Sequence, residues 1–301
     1  MITSSWLPIL TLFTFLALAF GFWLWTRKPR KLKERFGLST ETIRVDDFDI
    51  RFHRSGRGPH LILLHGIGAD LQCWRYLVPI LQKTFTVVAL DLPGFGQSSK
   101  LPSVSYGLDA QAERLCRFFD CLSIKSAFVI GNSMGGNLAL WLAIAHRHRV
   151  KGVAVIAPPS RVLPASLKKL TWVARPASYL VARPAVRWIH RLTVSRSELV
   201  SRERVEETFK VYRGNPEALA SFLMATETLS DARLMKRLKE IDQPVLILWG
   251  SRDRLVSRRM IRILERALPH HQSEVHVGGG HHLQEDEPQW VADKIREFFT
   301  T

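Results

Sequence analysis

Cysteine is scarce in this chain: Cys73, Cys116 and Cys121 are the only three among 301 residues. An odd, small number without metal-ligand spacing argues against a disulfide framework and against a zinc site. Free thiols fit a reducing compartment. Acidic residues are also in deficit, 27 against 43 lysines and arginines, for a net charge of +16. Such an excess suits nucleic acid or an anionic membrane surface. No zinc-finger spacing and no aromatic RNA-binding motif accompanies it, so nucleic acid is not expected as a partner. There is no internal repeat and no low-complexity segment. Charge is missing altogether from the twenty residues between Trp6 and Trp25.

As a helix rising 1.5 Å per residue, that uncharged run would span about 30 Å, one hydrocarbon core. Trp6 at one end and Trp23 and Trp25 at the other are placed as interfacial anchors. Arg27, Lys28, Arg30, Lys31, Lys33 and Arg35 follow it, whereas Met1 to Ser5 carry no side-chain charge. A cleaved signal peptide has the reverse order, so residues 1–35 read as an uncleaved single-pass anchor with a basic juxtamembrane segment. The positive-inside bias then puts the rest of the chain on the cytoplasmic side.

Beyond the anchor the pattern is α/β. Thr42 to Val45 and Phe48 to His53 read as a hairpin around Asp46-Asp47. Leu61 to Leu64, Phe85 to Leu90, Ala127 to Ile130, Val150 to Ala157 and Val245 to Trp249 are apolar runs of buried-strand type. Helical patterns fall between them at 72–82, 109–122, 137–146 and 257–267. A short strand at 274–277 and a last amphipathic helix at 290–299 complete the series. Alternation of this kind predicts a mostly parallel sheet flanked by helices. It breaks after Pro158-Pro159. Residues 160–230 carry helical patterns and no clear strand, which predicts a helical lid inserted into a core formed by 36–159 and 231–301. Over 161–213 the lid holds twelve basic and four acidic residues, interleaved with Trp172, Tyr179, Leu180, Trp188 and Ile189. The basic residues suit either a solvated helix face or contact with an anionic membrane.

Chemistry is concentrated at Gly131-Asn132-Ser133-Met134-Gly135. Gly-x-Ser-x-Gly between a strand and a helix is the context of a nucleophile elbow, in which the serine sits on a turn too tight for neighbouring side chains. Asp253 follows the strand at 245–249, where a carboxylate at a strand's C-terminal end meets the sites of open α/β sheets. His281 follows a glycine run at 278–280. Ser133, Asp253 and His281 thus stand in the order nucleophile, acid, base. His281 would take the serine proton and Asp253 would orient the imidazole. The backbone N–H groups of Met134 and of Ile67, in His65-Gly66-Ile67-Gly68, would bind the oxyanion. His282 is an alternative base, and Asp242 or Glu285 an alternative acid. Asp91 reads as structural in its Pro-Gly turn, and His270-His271 as a solvated helix C-cap rather than a metal site.

Over about residues 40–300 the chain resembles the α/β-hydrolase fold proteins. The resemblance rests on His65-Gly66, on Asp91-Leu92-Pro93-Gly94-Phe95-Gly96-Gln97-Ser98, on Gly131 to Gly136, on Gly250-Ser251-Arg252-Asp253 and on Gly280-His281. It implies the same triad of Ser133, Asp253 and His281. Within the fold, Asn-Ser-Met-Gly-Gly is similar to membrane-anchored monoacylglycerol lipases and bacterial esterases, and to the C–C bond hydrolases of aromatic degradation. The latter usually carry a Trp soon after the catalytic His; His282 to Pro288 contains none. Haloalkane dehalogenases, also similar there, use an aspartate nucleophile, which Ser133 excludes. The expectation is a membrane-anchored serine hydrolase of lipid-derived carboxylic esters. The alternatives are C–C, amide or acyl-transfer chemistry on the same triad, or a non-catalytic membrane scaffold. Triad acyl transfer requires no cofactor. The expected partners are the lipid bilayer and a small ester substrate; the oligomeric state is not legible.

Overall fold

The computed structural model describes residues 37–159 and 165–300. The expected anchor and basic segment, residues 1–35, lie outside the described residues, as does Arg161 at the start of the lid. Among the described residues no helix is long and apolar enough to cross a membrane.

Among the described residues eight strands form one sheet: β1 (Glu41–Val45), β2 (Phe48–Ser55), β3 (His60–Leu64), β4 (Thr86–Leu90), β5 (Ala127–Asn132), β6 (Val150–Ile156), β7 (Val245–Gly250) and β8 (His271–His276). Their order is β1-β2-β4-β3-β5-β6-β7-β8. The hairpin β1–β2 and the pair β2–β4 are antiparallel, and every other pairing is parallel. Leu61 to Leu64 and Leu246 to Leu248 are fully buried, as strands covered on both faces must be. The chain runs outward from β3 to β4, then returns past β3 to β5. That reversal opens a crevice at the C-terminal ends of β3 and β5, where open α/β sheets bind ligands.

Helices cover the sheet. α1 (Leu108–Cys121) buries Leu108, Ala112, Leu115, Phe118 and Phe119 and turns its polar side outward. α2 (Met134–Ala145) is apolar all round and nearly every residue in it is buried, so it is a core helix. Between β6 and β7 lies the helical insertion, with α3 (Arg183–Thr193), α4 (Arg202–Tyr212) and α5 (Pro216–Ala225). Ser201 and Asn215 cap α4 and α5 by accepting from the N–H of Arg204 and Ala218. The lid has a small core of its own, Val186, Val194, Val200 and Val205. α6 (Arg258–Ala267) and α7 (Pro288–Thr300) close the chain.

Two expectations are corrected. The helix expected at 72–82 is two pieces, a 3₁₀ turn Leu71–Trp74 and a helical turn Val78–Leu81. Pro79 has no N–H and its ring would strike the Arg75 carbonyl in a continuous helix. At the other end β8 starts at His271, earlier than expected, pairing with Val245. His271 is therefore a strand residue rather than a C-cap. α6 stops because Leu268 turns to extended backbone, φ −97° and ψ 123°. The His271 Nδ1 still meets the Leu268 carbonyl at 3.0 Å.

Candidate active site

β5 delivers Ser133 to the crevice. Its backbone is held at φ 54° and ψ −118°, a left-handed conformation that costs a non-glycine residue about 1–3 kcal/mol. Surrounding structure enforces it. The Ser133 N–H donates to the Ile156 carbonyl at 2.9 Å. A Cβ at Gly131 would overlap the Gly135 carbonyl, and one at Gly135 would overlap the Leu64 carbonyl. The hydroxyl makes no capping bond to α2. Strain without a structural task for the side chain is what a nucleophile on a sharp turn requires.

Asp253 lies in the turn after β7. Its Oδ1 accepts from the N–H of Leu255 at 2.7 Å and of Val256 at 2.9 Å. Its Oδ2 meets the His281 Nδ1 at 2.9 Å, with the two side chains 0 and 4% exposed. The carboxylate oxygen can only accept, so Nδ1 carries the proton and Nε2 is left as the basic nitrogen. Asn132, just before Ser133, donates through Nδ2 to the carbonyls of His281 at 3.0 Å and Ile156 at 3.1 Å. The histidine loop is thereby pinned to the elbow. The competing residues are engaged elsewhere: Asp242 pairs with Arg147 on the surface, and Glu285 receives the His282 Nδ1 at 3.0 Å.

The loop after β3 closes the other side. A Cβ on Gly66 would stand 3.2 Å from the Ser133 Cβ. His65 holds this loop: its Nδ1 donates to the Gly66 carbonyl at 2.8 Å and its Nε2 accepts the Leu92 N–H at 2.9 Å. The bond from Leu92 needs the neutral ring, and burial, partly opposed by the Gly66 carbonyl, pulls its pKa down to about 4. The N–H groups of Ile67 and Met134 have no acceptor among the described residues. The Tyr212 hydroxyl, from α4, is buried beside Gly68 and also lacks a partner among them. Asp91 is structural as expected, accepting from the N–H of Leu71 and Gln97 and pairing with Arg51. No group of three His, Cys, Asp or Glu side chains is placed to hold a metal among the described residues.

A family model described as the alpha/beta hydrolase fold matches residues 59–288. The chain belongs to this family. A crystal structure of a membrane phospholipase A, described as a bacterial virulence factor, superposes with a TM-score of 0.72 at 28% identity over 97% of each chain. The Bos taurus monoacylglycerol lipase ABHD6 is 23% identical over 299 residues, 93% of this chain and 86% of that protein. The dihydrolipoyllysine-residue acetyltransferase component of the acetoin cleaving system of Cupriavidus necator is 33% identical over 219 residues, 70% of this chain. The chain spans 57% of that protein's length. Esterases, lipases and a C–C bond hydrolase are thus all among the relatives of this α/β hydrolase.

This hydrolase also ties its lid to the histidine loop through buried polar groups. The His282 N–H donates to the Thr193 carbonyl at 2.7 Å. Asp286 accepts from the N–H groups of Gly280 at 2.7 Å, Ser195 at 2.9 Å and Arg196 at 3.2 Å. Arg204 of α4 and Arg75 flank Glu285 at 2.7 and 3.1 Å. Burial alone would raise the Glu285 pKa. Arg204, His282 and Arg75 together overcome it and hold the carboxyl at about 2. The contacts that join the lid to the histidine loop have no local sequence signal, because they link residues some 80 or 90 positions apart.

Three histidines, His65 and His282 buried and His190 half-buried, make this fold sensitive to acid. Burial pulls His65 to about 4 and, with help from Arg204, His190 to about 3; burial also lowers His282. Unfolded, each would titrate near 6.5. Between that value and the folded pKa the unfolded chain binds more protons, so stability falls as pH drops. Asp91, raised to about 6 by burial and by Asp70, opposes one of the three. Glu285 contributes fully above its unfolded pKa and adds to the loss only below about 4.5. The melting temperature should therefore decline from pH 7 to 4.5, with net proton uptake on unfolding. A flat or rising profile in calorimetry would refute the assignment of these rings as neutral.

Proposed function

We propose that this α/β hydrolase is a membrane-anchored serine hydrolase that cleaves carboxylic esters derived from lipids, through an acyl-enzyme. The observation that carries the reading is the buried His281–Asp253 pair, tied by Asn132 to a strained serine whose hydroxyl has no capping role. Ser133 Oγ attacks the ester carbonyl while His281 Nε2 takes its proton. The imidazolium, stabilised by Asp253, passes that proton to the departing alcohol. The unpaired N–H groups of Met134 and Ile67 receive the oxyanion. Water, deprotonated by His281, then attacks the acyl-Ser133 ester and releases the acid. The Tyr212 hydroxyl offers a further donor to a bound substrate oxygen.

A lipid substrate is supported by the uncharged Trp6–Trp25 run with its basic flank, which also argues for a cytoplasmic catalytic domain. The likeness to proteins named as a monoacylglycerol lipase and a membrane phospholipase A points the same way. The test is hydrolysis of p-nitrophenyl esters from acetate to long-chain acyl groups by the detergent-extracted full chain. Turnover of every ester, with kcat/KM rising toward medium or long chains, is expected. Activity confined to acetate would remove the lipid part of the reading. Turnover of none would move the reading to C–C or amide bonds.

A further inference from the structure

The lid carries an apolar outer face in addition to its small valine core. On α3, Pro184, Ala185, Trp188 and Ile189 share one exposed face, while Val186 and Thr193 are turned inward. A helix on a water-facing surface normally keeps its outer face polar. Trp172, Tyr179 and Leu180, just before α3, are also exposed, and with Trp188 and Ile189 they range from 54 to 80%. Exposed apolar groups in this number mark an interaction surface rather than scatter.

The charge around them identifies what the surface meets. From Lys168 to Thr193 the chain has six basic residues and no acidic one. Lys168 and Arg183 pair with Glu227 and Glu206, which lie outside this stretch. Lys169, Arg175 and Arg191 are exposed and have no ion-pair partner among the described residues. A second copy of the chain would have to oppose the same patch in a two-fold dimer, basic face against basic face. A tryptophan-, tyrosine- and leucine-bearing surface edged with unpaired cations instead matches an anionic bilayer, in which aromatic rings sit at headgroup depth and cations meet lipid phosphates.

We propose that the outer face of the lid, Trp172, Tyr179, Leu180, Trp188 and Ile189 with Lys169, Arg175 and Arg191, is a docking surface for anionic phospholipid bilayers. Arg254, one residue after Asp253, donates to the Arg191 carbonyl at 2.8 Å. The docked face is thus linked directly to the loop that carries Asp253. The proposal goes beyond the ester chemistry and stands or falls without it.

The test reads this face alone, because residues 1–35 could bring the chain to lipid unaided. The full chain is reconstituted into vesicles containing bromine-labelled acyl chains. The emission due to Trp172 and Trp188 is the difference between the chain and its Trp172→Phe/Trp188→Phe variant. In vesicles with about 30% phosphatidylglycerol this difference emission should be blue-shifted and quenched. Quenching should be several-fold weaker in pure phosphatidylcholine, or in about 1 M salt, where screening shortens to roughly 3 Å. Lys169→Gln/Arg175→Gln/Arg191→Gln should weaken docking on the order of a hundredfold, at about one kcal/mol per charge. Red-shifted, unquenched emission in anionic vesicles would overturn the proposal, as would quenching indifferent to lipid charge. Blue-shifted but unquenched emission that grows with the protein-to-lipid ratio would assign the face to a second copy instead.

Discussion

Ser133→Gly should abolish ester hydrolysis, with kcat lower by about 10⁶-fold, and leave the fold at least as stable as before. The two outcomes have one origin. Ser133 occupies φ 54°, which glycine adopts freely and serine does not. Its hydroxyl caps nothing, so its removal leaves no orphaned partner in α2. Relief of strain, set against the greater entropy of an unfolded glycine, should raise stability by at most about 1 kcal/mol, or up to roughly 3 °C. Stability given up at one residue for the sake of reactivity is the usual mark of an active site. A variant that loses activity and also melts several degrees lower would make Ser133 a structural residue.

Asp253→Asn should lower kcat by about 10⁴-fold with little change in KM. The asparagine oxygen can still accept from Leu255 and Val256, so the turn after β7 should keep its shape. The amide nitrogen now faces the His281 Nδ1 as a donor. The ring must answer with a bare Nδ1 and carry its proton on Nε2, the nitrogen that has to accept from Ser133. The base is lost through the wrong tautomer while the geometry stays in place. Asp242→Asn, a surface residue paired with Arg147, is the control and should change kcat by less than about twofold. Equal losses in both variants would contradict the assignment of Asp253.

The site was largely legible before the fold was known, because its parts sit in local patterns. Ser133 is announced by glycines whose absent Cβ atoms are required within five residues of one another. Asp253 and His281 are announced by strand ends, and the sheet order brings these two distant turns together. Local pattern alone did not decide between His281, the first choice with Asp253, and the alternatives His282, Asp242 and Glu285. His281 and His282 are neighbours, and only the direction of the loop gives Asp253 to the first and Glu285 to the second. The same limit hid the Asp286 and Arg204 ties between lid and histidine loop, which are contacts of tertiary structure alone. In the fold, strands of continuous apolar residues were readable from β3 to β7. β8 was placed late because it is a half-exposed edge strand whose polar start, His271-Gln272-Ser273, carries no apolar run. The break at Pro79 was readable in principle from the missing N–H. The Trp6–Trp25 segment lies outside the described residues, and its reading as an anchor rests on hydropathy and flanking charge.

The central claim is that Ser133 carries the acyl group. The most direct measurement is rapid quenching of the detergent-extracted full chain during turnover of a p-nitrophenyl ester, followed by mass mapping of the trapped adduct. The account predicts a burst of p-nitrophenol approaching one equivalent per chain, with a single acyl group on the peptide bearing Ser133 and none in Ser133→Gly. Steady hydrolysis with no burst and no adduct, or an adduct on any other side chain, would contradict it.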